Sequence, residues 1–150
     1  MTKETNEVVL DICHRSFNTT SEEYLTKDEA ANIKDISTYF ANEKRSFSFN
    51  ELKYFTGLTS LTDGAFANSN VTAITIPNNV TELGKGVFEN CTVLIDVELP
   101  NNLLEIPEKC FLNCSSLGNL YLPDTVMSIF KSILKYILEF NFILYQNCYS

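Results

Sequence analysis

Between Phe88 and Pro100 the chain reads FENCTVLIDVELP, and between Phe111 and Pro123 it reads FLNCSSLGNLYLP. One skeleton, F-x-N-C-x-x-L-x-x-[VL]-x-L-P, is written twice, 23 residues apart. Its columns extend upstream: Phe66, Phe88 and Phe111 fall 22 and 23 residues apart, and Pro77, Pro100 and Pro123 fall 23 and 23 apart. Ser69, Cys91 and Cys114 share one column, and Val71, Leu94 and Leu117 share another. After each proline, two polar residues precede an aliphatic one: Asn78-Asn79-Val80, Asn101-Asn102-Leu103 and Asp124-Thr125-Val126. A period in this range marks a stack of units, each burying its apolar face against the next.

The alternating pairs Ile74/Ile76, Val97/Leu99 and Leu120/Leu122 predict short strands buried on one face. Proline ends each strand because it has no N–H to donate to a ladder. Stacking then places the strands side by side in a parallel sheet, about 4.8 Å apart. A lone unit cannot offset the entropy of ordering its own backbone, so the repetition is first a requirement of stability.

LTDGAF (Leu61–Phe66), ITIPNNV (Ile74–Val80) and the two units above resemble BspA-type leucine-rich repeats. FSFNELKYFTGLTSL (Phe47–Leu61) is similar to the capping segment of bacterial members of that family from gut and oral anaerobes. The resemblance spans Thr26 to Ile129. It implies an α/β solenoid, a short right-handed coil of about three 22–23-residue units with a parallel strand ladder on its concave side. It also implies surface or secreted proteins that bind other proteins or cells, without catalytic residues. Two positions depart from the pattern: Phe130 stands where the third unit would carry Gly, and Pro107 occupies the column of Gly84.

Both ends of such a stack need caps. Thr26 and Glu29 fit a capping box, and Ala30, Ile33, Ile36 or Ser37, and Phe40 continue at helical spacing. With a second short helix around Val8–Cys13, residues 1–46 read as a mostly helical N-terminal cap, 47–125 as the solenoid and 126–150 as a C-terminal cap. Glu51–Phe55 reads as a helical turn inserted before the first full unit. VMSIFKSILKYILEFNFILY (Val126–Tyr145) is apolar, but Lys131 and Lys135 would each cost roughly 2.5–3.5 kcal/mol in a bilayer, which argues against insertion. As a helix it sets Ile129/Phe130, Ile133/Leu134 and Ile137/Leu138 opposite Lys131, Lys135 and Glu139. That amphipathic cap is the preferred reading. The alternative is a degenerate fourth unit, with Ile143 and Tyr145 in the columns of Leu120 and Leu122. An exposed version of 126–145 would favour self-association.

A net charge of −8 disfavours nucleic acid and anionic membrane surfaces as partners. Met1–Glu7 is polar and Val8–Leu10 is too short for an export signal, so no signal peptide is read in this chain. Five cysteines, Cys13, Cys91, Cys110, Cys114 and Cys148, include no C-x-x-C pair and do not make a disulfide framework. Cys91 and Cys114 should stack in the core as small hydrophobes, and Cys110 shares the core column of Ala65 and Val87. No zinc site is expected, because Cys110 and Cys114 lack partners. A nucleophile activated by His14, the only histidine, is disfavoured by the same burial. Asn18–Glu29 fails as a calcium loop: Glu23 stands where the turn needs Gly. Five N-x-[ST] sequons, at Asn18, Asn70, Asn79, Asn90 and Asn113, fall mostly on repeat columns.

A surface remains. Strand alternation turns Ala73, Thr75, Asp96, Glu98, Asn119 and Tyr121 outward, with Ser48 one unit earlier if Phe47 and Phe49 form its strand. These residues line the concave face expected to hold a ligand: Ser48, Thr75, Asp96, Glu98, Asn119 and Tyr121. Tyr121 beside Asp96 and Glu98 offers an aromatic anchor with an acidic rim. The expected role is a non-enzymatic, adhesion-type interaction module with a protein or cell-surface ligand, no cofactor and no metal. The alternative is a structural capping fragment of a longer repeat protein with no ligand of its own.

Overall fold

The structure is a computed structural model that describes residues 6–17, 19, 24–129 and 143–146, with backbone alone at 128–129 and 143–146. Its elements follow in order as α1 (Glu7–Ser16), α2 (Lys27–Asn32), β1 (Phe47–Phe49), a 3-10 turn (Asn50–Tyr54) and β2 (Ser60–Leu61). Then come β3 (Val71–Thr75), β4 (Glu82–Leu83), β5 (Asp96–Glu98), β6 (Glu105–Ile106), β7 (Asn119–Leu122), β8 (Ser128–Ile129) and β9 (Ile143–Gln146). Every strand pairing is parallel. One ladder runs β1-β3-β5 and resumes as β7-β9; a second consists of β2-β4 and β6-β8.

Between these ladders each unit makes a turn that the sequence dictates closely. Its backbone enters the left-handed region twice, at Gly64 and Asn68, Gly86 and Asn90, and Lys109 and Asn113. Gly and Asn tolerate that region best, which accounts for their positions in the repeat. The asparagines also join the units, Asn90 Nδ2 donating to Asn68 Oδ1 (2.9 Å) and Asn113 Nδ2 to Asn90 Oδ1 (2.6 Å). Alongside them run backbone bonds from Phe66 N to Val87 O and from Phe88 N to Cys110 O, each 2.9 Å.

Inside the turns stands a column of rings. Phe66 stacks on Phe88 with centroids 5.5 Å apart, and Phe88 on Phe111 at 5.4 Å. Phe40 extends the column, 5.5 Å from Phe66. Asn42, with φ of 60°, stands to Phe40 as Asn68 stands to Phe66. The unit geometry therefore begins within the segment read as a cap, and Tyr39-Phe40-Ala41-Asn42 carried that signal as an F-x-N motif.

The capping box at Thr26 and Glu29 is formed in full. The helix it starts ends at Asn32, however, instead of running on to Phe40. Ile33 is already extended, the Asp35 carboxylate accepts from Ser37 N (2.7 Å), and Ser37 is left-handed with φ of 46°. Ile33, Ile36 and Phe40 are still buried, because a compact turn satisfies the same spacing.

At the other end the helical cap is corrected wherever the chain is described. Ser128–Ile129 and Ile143–Gln146 are strands, extending the two ladders by pairing with β6 and β7. The β-branched and aromatic residues that suggest an amphipathic helix serve a strand equally well, and a waiting parallel edge decides between them. The register runs one residue later than the repeat alignment: Leu144, not Ile143, lies opposite Leu120. Residues 130–142, with Lys131, Lys135, Glu139 and Phe130, lie outside the described residues.

Neither ladder is continuous. Gly84 N donates to Leu61 O at 2.7 Å, and a Cβ at Gly84 would collide with the backbone of Thr62 and Asp63. In the next unit the column holds Pro107, which has no N–H to give. No backbone hydrogen bond joins 81–84 to 104–107 among the described residues.

At the N-terminal end, Arg45 bridges Asp11 of α1 (2.8 Å) and Glu43 (2.7 Å). Hydrogen bonds from Arg45 hold Glu43 at about 2, against an ordinary 4.5, and lower Asp11 as well. Carboxyls depressed on folding contribute stability above their unfolded values and lose it as pH falls toward the folded ones. Urea midpoints should therefore fall between about pH 4.5 and pH 2, and Arg45→Ala should flatten that dependence. An unchanged pH profile in the variant would contradict the bridge. Phe88 touches a ring on each side, so Phe88→Ala should cost about 3–5 kcal/mol in denaturant unfolding. A loss under about 1 kcal/mol would mean that the ring column does not hold the units together.

Candidate functional site

β3, β5 and β7 carry the outward residues singled out by the sequence. In β1-β3-β5 the register sets Ser48 beside Ala73 and Ala73 beside Asp96, with Thr75 beside Glu98. Phe47 and Phe49 are buried as the strand reading requires, leaving Ser48 half-buried between them. A register shift between Phe47 and Ser48 arises because Val71 and Ile74 both point inward, breaking strict alternation in β3. Asp96, Glu98, Asn119 and Tyr121 are exposed.

The structure brings these residues together unevenly. Thr75 Oγ1 donates to Glu98 Oε2 at 3.2 Å, aiming that carboxylate along the ladder. Asp96, Glu98 and Tyr121 share the wall of a hollow of about 260 Å³, with Leu99, Asn101 and Pro123 among its other lining. It lies where β5 and β7 face each other without forming a ladder. Asn119 is on the same strand as Tyr121 but does not line the hollow, and Ser48 and Thr75 stand to its N-terminal side. Tyr121 is 55% exposed and lines the hollow together with both carboxylates.

Two nearby residues escaped the sequence reading. Ile95, 64% exposed, precedes Asp96 and bonds through its N–H to Thr72 O (2.8 Å). Its signal was an aliphatic residue in the column of Thr72 and Gly118. Asn101 lines the hollow while its N–H is held by Asn78 Oδ1 at 3.0 Å. It was read only as a turn residue after Pro100.

Among the described residues, the cysteines of the interior are not poised as nucleophiles. Cys91 Sγ donates to Phe66 O and Cys114 Sγ to Phe88 O, each at 3.1 Å, so each thiol satisfies a carbonyl one unit back. Cys13, Cys91, Cys110 and Cys114 are all buried and free. Burial raises every one of these thiols, Cys13 to about 12, and so keeps them protonated. His14 Nε2 has no hydrogen-bond partner among the described residues, and Glu29, the last position of the rejected calcium loop, is engaged with Thr26. Residues 18 and 20–23 of that loop and Cys148 lie outside the described residues. The sequons serve as joints: Asn90 and Asn113 form the ladder above, Asn79 bonds to Thr56 O and Leu58 O, and Asn70 to Lys44 O. No described helix is long and apolar enough to cross a membrane.

Compared with known proteins, residues 34–148 match the family model of the BspA type leucine rich repeat region, in six copies. No curated protein matches the chain. Among solved structures, a leucine rich cell surface protein from Faecalibacterium prausnitzii A2-165 is similar, with 27% identity and a TM-score of 0.50. The match covers 58% of this chain and only 22% of that one.

Thiol chemistry tests the closed interior directly. In a Cys148→Ser variant at pH 8, Ellman's reagent should find no reactive thiol until denaturant is added, when the remaining four should react. Reaction of one thiol on mixing with the native protein would overturn the assignment of all four to the core.

Proposed function

The chain belongs to the BspA-type leucine-rich repeat family, and from that premise we propose that it is a non-enzymatic, adhesion-type module that binds a protein or cell-surface ligand. The binding surface in this reading is the outward, concave face of the strand ladder. Asp96, Glu98 and Tyr121 form its centre, with Ser48, Thr75 and Asn119 at its margins. The observation that carries it is the hollow between β5 and β7, which gathers two carboxylates around an exposed ring. Aromatic anchors within a polar rim are the usual composition of a binding patch. Repeat proteins, moreover, hold their units with invariant columns and are free to vary the residues between them.

The same reading takes the chain as a right-handed solenoid of about three full units over 47–125, with 1–46 as an N-terminal cap whose end, at Phe40–Asn42, already has the turn of a unit. It takes 126–150 as a closing segment, in which exposed apolar surface over 126–145 would favour self-association. A surface or secreted location is supported by the similar Faecalibacterium protein, which is described as a cell surface protein. The second reading, a structural capping segment of a longer repeat protein, draws on the 22% of that longer chain that the match covers.

The test is binding of the labelled chain, verified as monomer, to a panel of matrix proteins and cell surfaces. It is set against an Asp96→Ala/Glu98→Ala/Tyr121→Ala variant shown to be folded by circular dichroism. A ligand that binds the parent and loses about thirtyfold or more on the variant supports the module and its site. Equal binding by both, or by neither, sinks the concave-face site and leaves the structural reading ahead.

A further inference from the structure

The second ladder carries a gap that the first reading leaves unused. β2 pairs with β4, and β6 with β8, but β4 and β6 are not joined. The reason is Pro107, which replaces the donor that Gly84 supplies one unit earlier. Where the ladder opens there is a hollow of about 540 Å³ lined by residues 63, 81–85, 104, 105 and 107. It lies on the turn from β4 to β6, away from Asp96, Glu98 and Tyr121.

Its chemistry has two parts. The first is apolar. Thr59, Thr81, Leu104 and Met127 follow one another in a single column, with Thr81 N bonded to Thr59 O and Met127 N to Leu104 O, both at 3.0 Å. The column changes from threonine to aliphatic at the gap itself. Leu104 is then 59% exposed and Met127 is 89% exposed, although nothing in the repeat requires large apolar side chains there.

The second part is charge. Glu82 and Glu105 stand side by side in the register column after Thr81 and Leu104, are exposed, and enter no ion pair or side-chain hydrogen bond among the described residues. Asp63 adds a third carboxylate, with one oxygen held by Lys85 N at 2.8 Å. Among the described residues, the one cation on the wall is Lys85, which faces Glu108 at 3.8 Å. The wall is therefore net negative beside an exposed aliphatic strip.

We propose that the hollow over β4 and β6 is a second docking surface, for a segment of a partner protein in which lysine or arginine alternates with aliphatic side chains. Such a segment complements a wall that sets three carboxylates against one cation, beside the exposed Leu104. The aliphatic residues of the partner cover Leu104 and Met127, and its cations lie against Glu82 and Glu105.

Two fluorescein-labelled ten-residue peptides test this, one bearing three Leu-Lys pairs spaced by Gly and Ser, the other the same with Glu in place of Lys. Anisotropy is read at low salt with the parent chain, Glu82→Gln/Glu105→Gln, Leu104→Ser, and Asp28→Asn/Asp124→Asn. The last removes the same charge from exposed carboxylates outside both hollows, so diffuse attraction to an acidic protein is separated from docking. The lysine peptide should bind the parent, weaken about three- to tenfold on Glu82→Gln/Glu105→Gln and on Leu104→Ser, and change less than about twofold on Asp28→Asn/Asp124→Asn. The glutamate peptide should not bind. No binding to the parent, equal loss in the two charge variants, or binding of the glutamate peptide would each overturn the proposal.

Discussion

The column of phenylalanine rings at positions 40, 66, 88 and 111 is the contact on which the rest depends. Its spacing of about 5.5 Å is slightly wider than the natural separation of paired strands, and it fixes how closely successive turns can approach. Around the rings, the backbone bonds of the turn and the asparagine side chains then find partners at hydrogen-bonding distance. Asn68, Asn90 and Asn113 satisfy one another and hold a left-handed backbone that most residues resist. Packing and polar satisfaction here agree residue by residue, as expected of a sequence that specifies one stack.

This column also explains how the ladders can break without the units coming apart. The turn bonds run unbroken from Asn42 to Leu112, whereas β4 and β6 are unbonded and β5 and β7 make no ladder. Two strand faces can therefore lose hydrogen bonds while the third side still carries the stack. A repeat protein of this kind can unpair two strands on one side by exchanging a single residue. Pro107 for the glycine of the preceding unit does so at the cost of one ladder bond, about 0.5–1.5 kcal/mol. The turn keeps its bonds even where Lys109 stands in the column of Gly64 and Gly86, at a left-handed φ of 58°.

Much of this was legible in the sequence because it depends on periodicity. The inward residues Val97, Leu99, Leu120 and Leu122, the buried cysteines and the capping box at Thr26 all follow from spacing and local chemistry. What periodicity does not encode is relative position. The shift between Phe47 and Ser48, the register of Leu144 on Leu120 and the end of α2 at Asn32 each depend on which neighbour is already in place. The candidate site was legible in its membership and not in its grouping. Asp96, Glu98 and Tyr121 share one hollow where β7 follows β5 without a ladder between them, a feature that no single column shows. Phe40 and Asn42 were visible but lay outside the 22–23-residue spacing, 26 residues before Phe66 and Asn68, because the 3-10 turn at Asn50–Tyr54 is inserted between them.

The division of labour between columns has a consequence for how such a chain diversifies. Residues in the ring, asparagine and thiol columns touch their counterparts in adjoining units, so a change in one is felt by two neighbours. Outward residues of the strands, such as Asp96 and Glu98, lie at the surface. Surface substitutions at such positions usually stay within about 0.5 kcal/mol, whereas core truncations cost several times that. Recognition can therefore be rewritten on the ladder faces with little effect on folding. The two hollows follow the same logic: one groups a ring with two carboxylates, the other an exposed leucine with three, and both lie where ladder bonds are missing. Strands without a ladder between them are released from strict register, and that freedom allows a hollow that a regular sheet face lacks.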